Sequence, residues 1–319
     1  MNCTYRCIGK DLTFMAGTLL YKILQLAAVM MLGFAVVKLK VLKSGDSRVL
    51  SKLCLYLFMP SAILNAFDME ITGEILTGIL ISVGAAVAAH MLLLVIDFIY
   101  KKCGAGPVER TSVMYPNAGN LVIPIVSFVL GPEWVIYTCA YMSVQQLLIW
   151  THGIGMYNNG KTDLKKVITN PNIIVIAVGV VMIAFSLRLP AFAKDVVSSL
   201  GTMVGNAGML VAGMLAADLD FGKAFKDKRL YIVTLMRLVV CPLVILPLLK
   251  LISAISGIAI LDKVLLISFI ACMTPPAATV LQFAQINDTD VDFAASVNII
   301  DTFACILTMP LLVMMYQMI

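Results

Sequence analysis

Charge is what this sequence has least of. Only 13% of its 319 residues are charged, against 61% that are hydrophobic, far from the roughly quarter-charged, half-apolar balance of soluble domains. That shortage excludes water as the main solvent of the folded chain. Histidine numbers two; H-E-x-x-H and G-x-S-x-G are absent, and Ser, His and Asp form no recognisable set, so we expect no enzyme. The eight cysteines, Cys3, Cys7, Cys54, Cys103, Cys139, Cys241, Cys272 and Cys305, are scattered, mostly in apolar runs. Without C-x-x-C or a cluster with His, they argue against a metal site or a disulfide framework. No small-residue cleavage site ends the opening MNCTYRCIGKDLTF, so the first span is expected to stay in the mature protein. Alternation of polar and apolar residues over ~10 positions is also missing, which leaves a helical bundle as the membrane architecture.

Long apolar runs take the place of charge. They come near the ~20 residues that a helix needs to cross a bilayer, and predict helices at 18–37, 48–67, 75–99, 110–130, 134–156, 171–188, 195–217, 229–251, 263–286 and 292–317. The fold expected is therefore an all-α membrane protein with ten transmembrane helices. Starts at 18, 48, 75, 110 and 134 recur about 150 to 158 residues later at 171, 195, 229, 263 and 292, which suggests internal duplication. Five spans per copy is an odd number, so the second copy enters inverted, as in many secondary transporters. The chain divides into an N-terminal extracellular segment 1–17, a first five-helix repeat 18–156, a cytoplasmic loop 157–170 and a second, inverted five-helix repeat 171–319.

The formal net charge of +5 would suit nucleic acid, but the positive residues sit in alternate loops and so read as topology. Lys38, Lys40, Lys43, Arg48 and Lys52, then Lys101, Lys102 and Arg110, then Lys161, Lys165 and Lys166, then Lys223, Lys226, Lys228 and Arg229 share one side. The other side holds Arg6, Lys10, Lys22, Arg188, Lys194, Lys250 and Lys263. The positive-inside rule then places both termini outside a cell membrane. Residues 287–292 dissent, carrying Asp288, Asp290 and Asp292 without a positive charge on the side assigned to the cytoplasm.

Two runs carry proline in the middle. The fourth reads Met114-Tyr115-Pro116-Asn117-Ala118-Gly119-Asn120-Leu121-Val122-Ile123-Pro124, and the ninth Cys272-Met273-Thr274-Pro275-Pro276-Ala277-Ala278-Thr279. Each proline removes a backbone donor. Matched breaks in the two halves point to a transport site, because half-helix N-termini present free N–H groups and positive dipole ends to an anion. The substrate-binding candidates are Pro116, Asn117, Gly119, Asn120, Thr274, Pro275, Pro276 and Thr279, joined by Gln145 and Gln146 at mid-membrane in the fifth span. For coupling, Asp301 and Asn298, one turn apart in the tenth span, are candidates as a proton or cation site, since a carboxylate at that depth is costly unless paired, wetted or protonated. The competing reading makes Asp301 a structural partner of Arg237. Asp97 reads as a snorkelling partner of Lys101 and Lys102, His152 as a packed or interface residue. Asn65 and Asn206 could line a cavity, and Gly201, Gly205, Gly208 and Gly213 mark close helix packing.

Asn117-x-Gly119-Asn120 followed by Pro124, Asn170-Pro171, Arg188-Leu189-Pro190 and Met209 to Asp218 (MLVAGMLAAD), with Pro60-Ser61 and Thr308-Met309-Pro310 near the ends, together resemble the auxin efflux carrier family of transporters. The resemblance implies a scaffold and a transport domain whose fourth and ninth helices cross at their breaks and bind an organic carboxylate. Relatives export auxin in plants, and bacterial ones are described as malate or malonate permeases. Thr279 stands where many relatives have Asn, Asp301 where many have a small or hydroxyl residue, and the loop between the fifth and sixth spans is short, which favours a bacterial-type member.

The function expected is secondary active transport of a small organic anion, a carboxylate or an auxin-like weak acid, by alternating access. The alternatives are a sodium-coupled organic-anion symporter and a non-transporting membrane sensor on the same fold. No cofactor is expected beyond H+ or Na+ as coupling ion. The partners are the anion, the lipid bilayer and, as one arrangement the sequence allows, a second copy in a homodimer.

Overall fold

The computed structural model describes residues 2–158, 164–256 and 260–319, with side chains for these except 2–16, 164, 166, 255 and 256. Cys3, Cys7, Arg6, Lys10, Lys161 and Lys166, all used in the charge and cysteine readings, lie outside the described side chains. Every element described is helical: α1 (Asn2–Lys38), α2 (Ser44–Phe67), α3 (Gly73–Lys102), α4 (Pro107–Met114), α5 (Ala118–Val129), α6 (Val135–Leu148, continuing to 157), α7 (Pro171–Ala184), α8 (Ala191–Ala216), α9 (Lys228–Ala254), α10 (Leu261–Cys272), α11 (Ala278–Ile286) and α12 (Val291–Met318), with short turns between them. Among the described residues, six stretches are long and apolar enough to cross a membrane: Gly17–Lys38, α2, α3, α8, α9 and α12. α1 starts at Asn2, well before the position 18 expected from hydropathy.

The fourth and ninth runs each split in two. At 1.5 Å per residue, pieces of eight to twelve residues fall far short of a ~30 Å core, so each half-helix needs its partner to span it. Pro124 does not break α5. Residues Ala118–Val122 form a π-helical turn just before it, and the same pattern recurs where Cys54–Phe58 precedes Pro60 and Met236–Val240 precedes Pro242. A wider turn moves the upstream carbonyl out of the way of the proline ring, so the helix passes through it.

Small residues draw the helices close. A Cβ added at Gly33 would run into the backbone of Leu210, and one at Gly213 into the carbonyl of Met30, so α1 and α8 approach nearly backbone to backbone, as membrane helices do without a hydrophobic drive to associate.

Loop contacts agree with the alternation of sides. Arg229, at the start of α9, pairs with Asp290 at 2.6 Å. The acid-rich loop that dissented from the charge pattern therefore lies against a basic loop of the side to which it was assigned. At the other end Asp68 accepts from the N–H of Leu189 at 3.0 Å and pairs with Lys194 at 3.1 Å. Asp97 departs from expectation: its partner is Arg110, through two bonds of 2.8 and 2.6 Å, because α4 turns back against the end of α3 and brings a guanidinium whose fork matches a carboxylate.

Candidate functional site

The two breaks meet. The N–H of Asn117 donates to the carbonyl of Pro275 at 2.8 Å, and the N–H of Ala277 to the carbonyl of Tyr115 at 2.8 Å, so Pro116 and Pro276 face each other as one antiparallel bridge. The geometry follows from proline chemistry. Tyr115, before Pro116, is extended (φ −110°, ψ 104°), the conformation a following proline favours, and an extended residue pairs its backbone sideways, off the helix axis.

Side chains from neighbouring helices hold the remaining carbonyls. Gln145 on α6 donates Nε2 to the carbonyl of Pro116 at 2.6 Å, and Asn298 on α12 donates Nδ2 to that of Pro276 at 2.8 Å. Arg237, fully buried at 0% exposure, lies in the π-helical turn of α9 and donates to the carbonyls of Val113 at 2.7 Å, Thr274 at 2.9 Å and Cys272. These are the C-terminal ends of α4 and α10, where partial negative charge gathers. One guanidinium thus caps both half-helices.

That leaves the other ends. α5 and α11 begin immediately past the crossing, and their first N–H groups have no acceptor within the helix. Asn117 satisfies one of them, accepting from the N–H of Asn120 at 3.3 Å. Ala118, Gly119, Ala278 and Thr279, at these N-termini, line a chamber of about 80 Å³ together with Pro116, Asn117, Asn120, Gln145, Gln146 and Asn172. Among the described residues lining it none is charged. The chamber shares Ser51, Leu55, Asn117, Asn120, Ala278 and Gln282 with a vestibule of about 300 Å³, whose wall also carries Arg48, Lys52, Trp150 and Asn298. A separate cavity of about 350 Å³, lined by Lys22, Asn65, Ser127 and Ser198, lies against the opposite end of α5. Between the two, Gly205 and Gly208 of α8 press on Pro124 and Asn120.

Of the candidates read from sequence, Pro116, Asn117, Gly119, Asn120, Gln145, Gln146 and Thr279 come together around the chamber. Thr274, Pro275 and Pro276 are not part of its lining and act through their backbone carbonyls in holding the crossing. Asn298 reaches the vestibule. Asp301 is fully buried and reaches neither cavity; its Oδ1 accepts from Thr234 at 2.5 Å, and Oδ2 has no partner. No ion pair to Arg237 within 4.0 Å is found among the described residues, since that guanidinium is taken by carbonyls. Asn65 lines the opposite cavity, Asn206 is exposed, and His152 bonds through Nδ1 to Tyr115 at 3.0 Å and lies 3.6 Å from Asp97.

Sequence reasoning missed Asn172. It lines the chamber, is 1% exposed, and neither amide atom has a partner. The available signal was an amide buried in the apolar run PNIIVIAV, overshadowed by Asn170, whose side chain caps α7 at 2.9 Å.

No match is found among curated proteins. The family model described as membrane transport protein matches residues 18–313, nearly the whole chain, including both breaks and every residue of the chamber. A membrane protein of broken helices around a polar chamber, this chain belongs to the membrane transport protein family, the family of the auxin efflux carriers.

Proposed function

We propose that the protein is a secondary active transporter of a small organic anion that works by alternating access, with its site at the crossing of the two broken helices. The observation that carries this reading is the opposed polarity of the four half-helices: the C-terminal ends of α4 and α10 are capped by Arg237, while the N-termini of α5 and α11 converge on the chamber. Two positive dipole ends at an uncharged, partly enclosed site favour an anion without binding it irreversibly. Arg48 and Lys52 at the vestibule mouth raise the local anion concentration.

Two inverted five-helix repeats, making ten spans in all, are part of the proposal. Support comes from the matched contacts Gln145 to Pro116 and Asn298 to Pro276, each made by the helix that follows a broken one. An inward-facing arrangement is part of the proposal, its support being that the vestibule wall carries Arg48 and Lys52, residues of the side that the positive-inside rule assigns to the cytoplasm. Asp301 is the proposed proton-coupling residue, its support being complete burial with one oxygen unpaired.

Uptake of labelled mono- and dicarboxylates into proteoliposomes tests the reading. Saturable uptake that falls in Asn117→Ala is the expected result; an unchanged rate in that variant removes the central residue from the mechanism. Sodium coupling is the second reading, favoured by the amide oxygens of the chamber, and transport indifferent to a sodium gradient excludes it.

A further inference from the structure

α3 is 30 residues long, about 45 Å at 1.5 Å per residue, the thickness of a bilayer with its headgroup layers. Its last turn, with Tyr100 and the exposed Lys101 and Lys102, therefore stands among lipid headgroups. A cavity of about 330 Å³ lies there between the end of α3, α4 and the start of α9, and Tyr100, Cys103, Glu109, Arg229 and Ile232 are in its wall. Phe98 and Ile99, just before Tyr100, and Tyr231 and Ile232, just after Arg229, are more than half exposed. In a membrane-spanning helix such side chains are surface for acyl chains, so a lipid beside α3 and α9 reaches the cavity without leaving the bilayer.

Two groups in this wall are left over. The Tyr100 hydroxyl is buried and has no partner among the described residues, and the charge of Glu109 reaches it. Glu109 Oε2 accepts from the N–H of Gly106, while Oε1 has Arg229 Nε at 4.0 Å, too far for a hydrogen bond. Arg229 offers little to an anion, because its three nitrogens already donate to Asp227 and Asp290 at 3.0, 2.6 and 2.6 Å. With Glu109 that makes three carboxylates around one guanidinium, so a phosphate is repelled and a cation bearing N–H groups is drawn in. We propose that this cavity receives the primary ammonium of an aminophospholipid, with Glu109 Oε1 and the Tyr100 hydroxyl oxygen as its acceptors. The phosphodiester stays outside, level with Lys101 and Lys102, and the acyl chains run along Ile99 and Ile232. A choline headgroup carries the same charge but no N–H, so it cannot make these bonds.

Full-length protein in detergent, titrated with phosphatidylethanolamine or phosphatidylcholine of the same acyl chains, tests this by native mass spectrometry of the bound lipid. Cys103, exposed and in the cavity wall, reports the location through its rate of modification by an uncharged maleimide. The ethanolamine lipid is expected to bind about tenfold tighter, as charge-assisted hydrogen bonds allow, and to slow Cys103 modification where the choline lipid does not. Tyr100→Phe breaks no hydrogen bond made within the chain, and Glu109→Gln keeps an oxygen for the Gly106 N–H; both are expected to fold and to lose most of the preference. Equal binding of the two lipids overturns the proposal, and so does tighter binding of phosphatidylglycerol, which makes phosphate the recognised group. A preference that survives in both variants, or that leaves Cys103 unprotected, puts the lipid elsewhere and overturns the site. Protection of Cys103 by soluble ethanolamine as complete as that by the lipid overturns the lipid as the occupant.

Discussion

Gln145 reaches from α6 to the carbonyl of Pro116, its Nε2 donating at 2.6 Å. Asn298 makes the equivalent contact to Pro276 from α12. In each half of the chain the helix after the broken one supplies an amide that replaces a donor the helix has lost at its break.

Gln145→Leu leaves a buried carbonyl unpaired, for which the cost is about 1–3 kcal/mol. A lowered unfolding midpoint in detergent, with reduced transport, is the expected outcome. Asn298→Leu should behave alike. If only one of the two variants is affected, the contacts are not equivalent.

Arg237 serves three carbonyls from two helices, so its loss is more severe. Arg237→Met is expected to destabilise by on the order of 3 kcal/mol or more, and Arg237→Lys to recover part of that, since an ammonium can reach some of the acceptors without the planar fork. Thermal unfolding of the three proteins side by side gives the order; a lysine variant no better than methionine would show that guanidinium shape, not charge, is what matters.

Gly205 faces Pro124 so closely that an added Cβ would lie 2.7 Å from its Cγ. Gly205→Ala therefore disfavours the packing that separates the chamber from the cavity lined by Ser127, by about 1–3 kcal/mol. If that seam opens during transport, a cysteine placed at Ser127 becomes more reactive to a polar thiol reagent in the alanine background. Equal reactivity in both backgrounds counts against a moving seam.

Asp301→Asn keeps an acceptor for the Thr234 hydroxyl while removing the ionisable group. The variant should fold. Flux that follows an imposed pH gradient in the parent protein and ignores it in the variant is expected for a proton-coupling residue; the same pH response in both would release Asp301 from that role.

Acid should loosen the end of α2 by a separate route. Burial works to raise the Asp68 carboxyl, but the Leu189 N–H together with Lys194 and Arg188 outweighs it and holds the group below its ordinary value of 3.8. A depressed folded-state pKa stabilises above the unfolded value and is lost as pH falls through the folded one. Protection of the Leu189 amide from hydrogen exchange is thus expected to persist at neutral pH and to decline only below about pH 4, and Asp68→Asn should weaken it at neutral pH.

The helical character of the chain and the location of the breaks at Pro116 and at Pro275-Pro276 were legible in the sequence because each is a local property. Hydropathy over a run decides whether it enters lipid, and Pro116, Pro275 and Pro276 lack their donors wherever they are placed. Pro124 is the instructive exception: the proline was visible, but whether it would break the helix depended on the π-helical turn at 118–122 upstream. The roles of Arg237 and Asn172 belong wholly to tertiary structure. An arginine in an apolar run looks the same whether it pairs with Asp301 or caps two helix ends, and only the arrival of Val113, Cys272 and Thr274 around it settles the matter. Asn172 gains its meaning from what fails to reach it: hydrogen bonding is short-ranged, so a side chain separated in sequence from the breaks becomes part of the chamber only when the packing of α5, α6, α7 and α11 leaves its amide buried there without a partner.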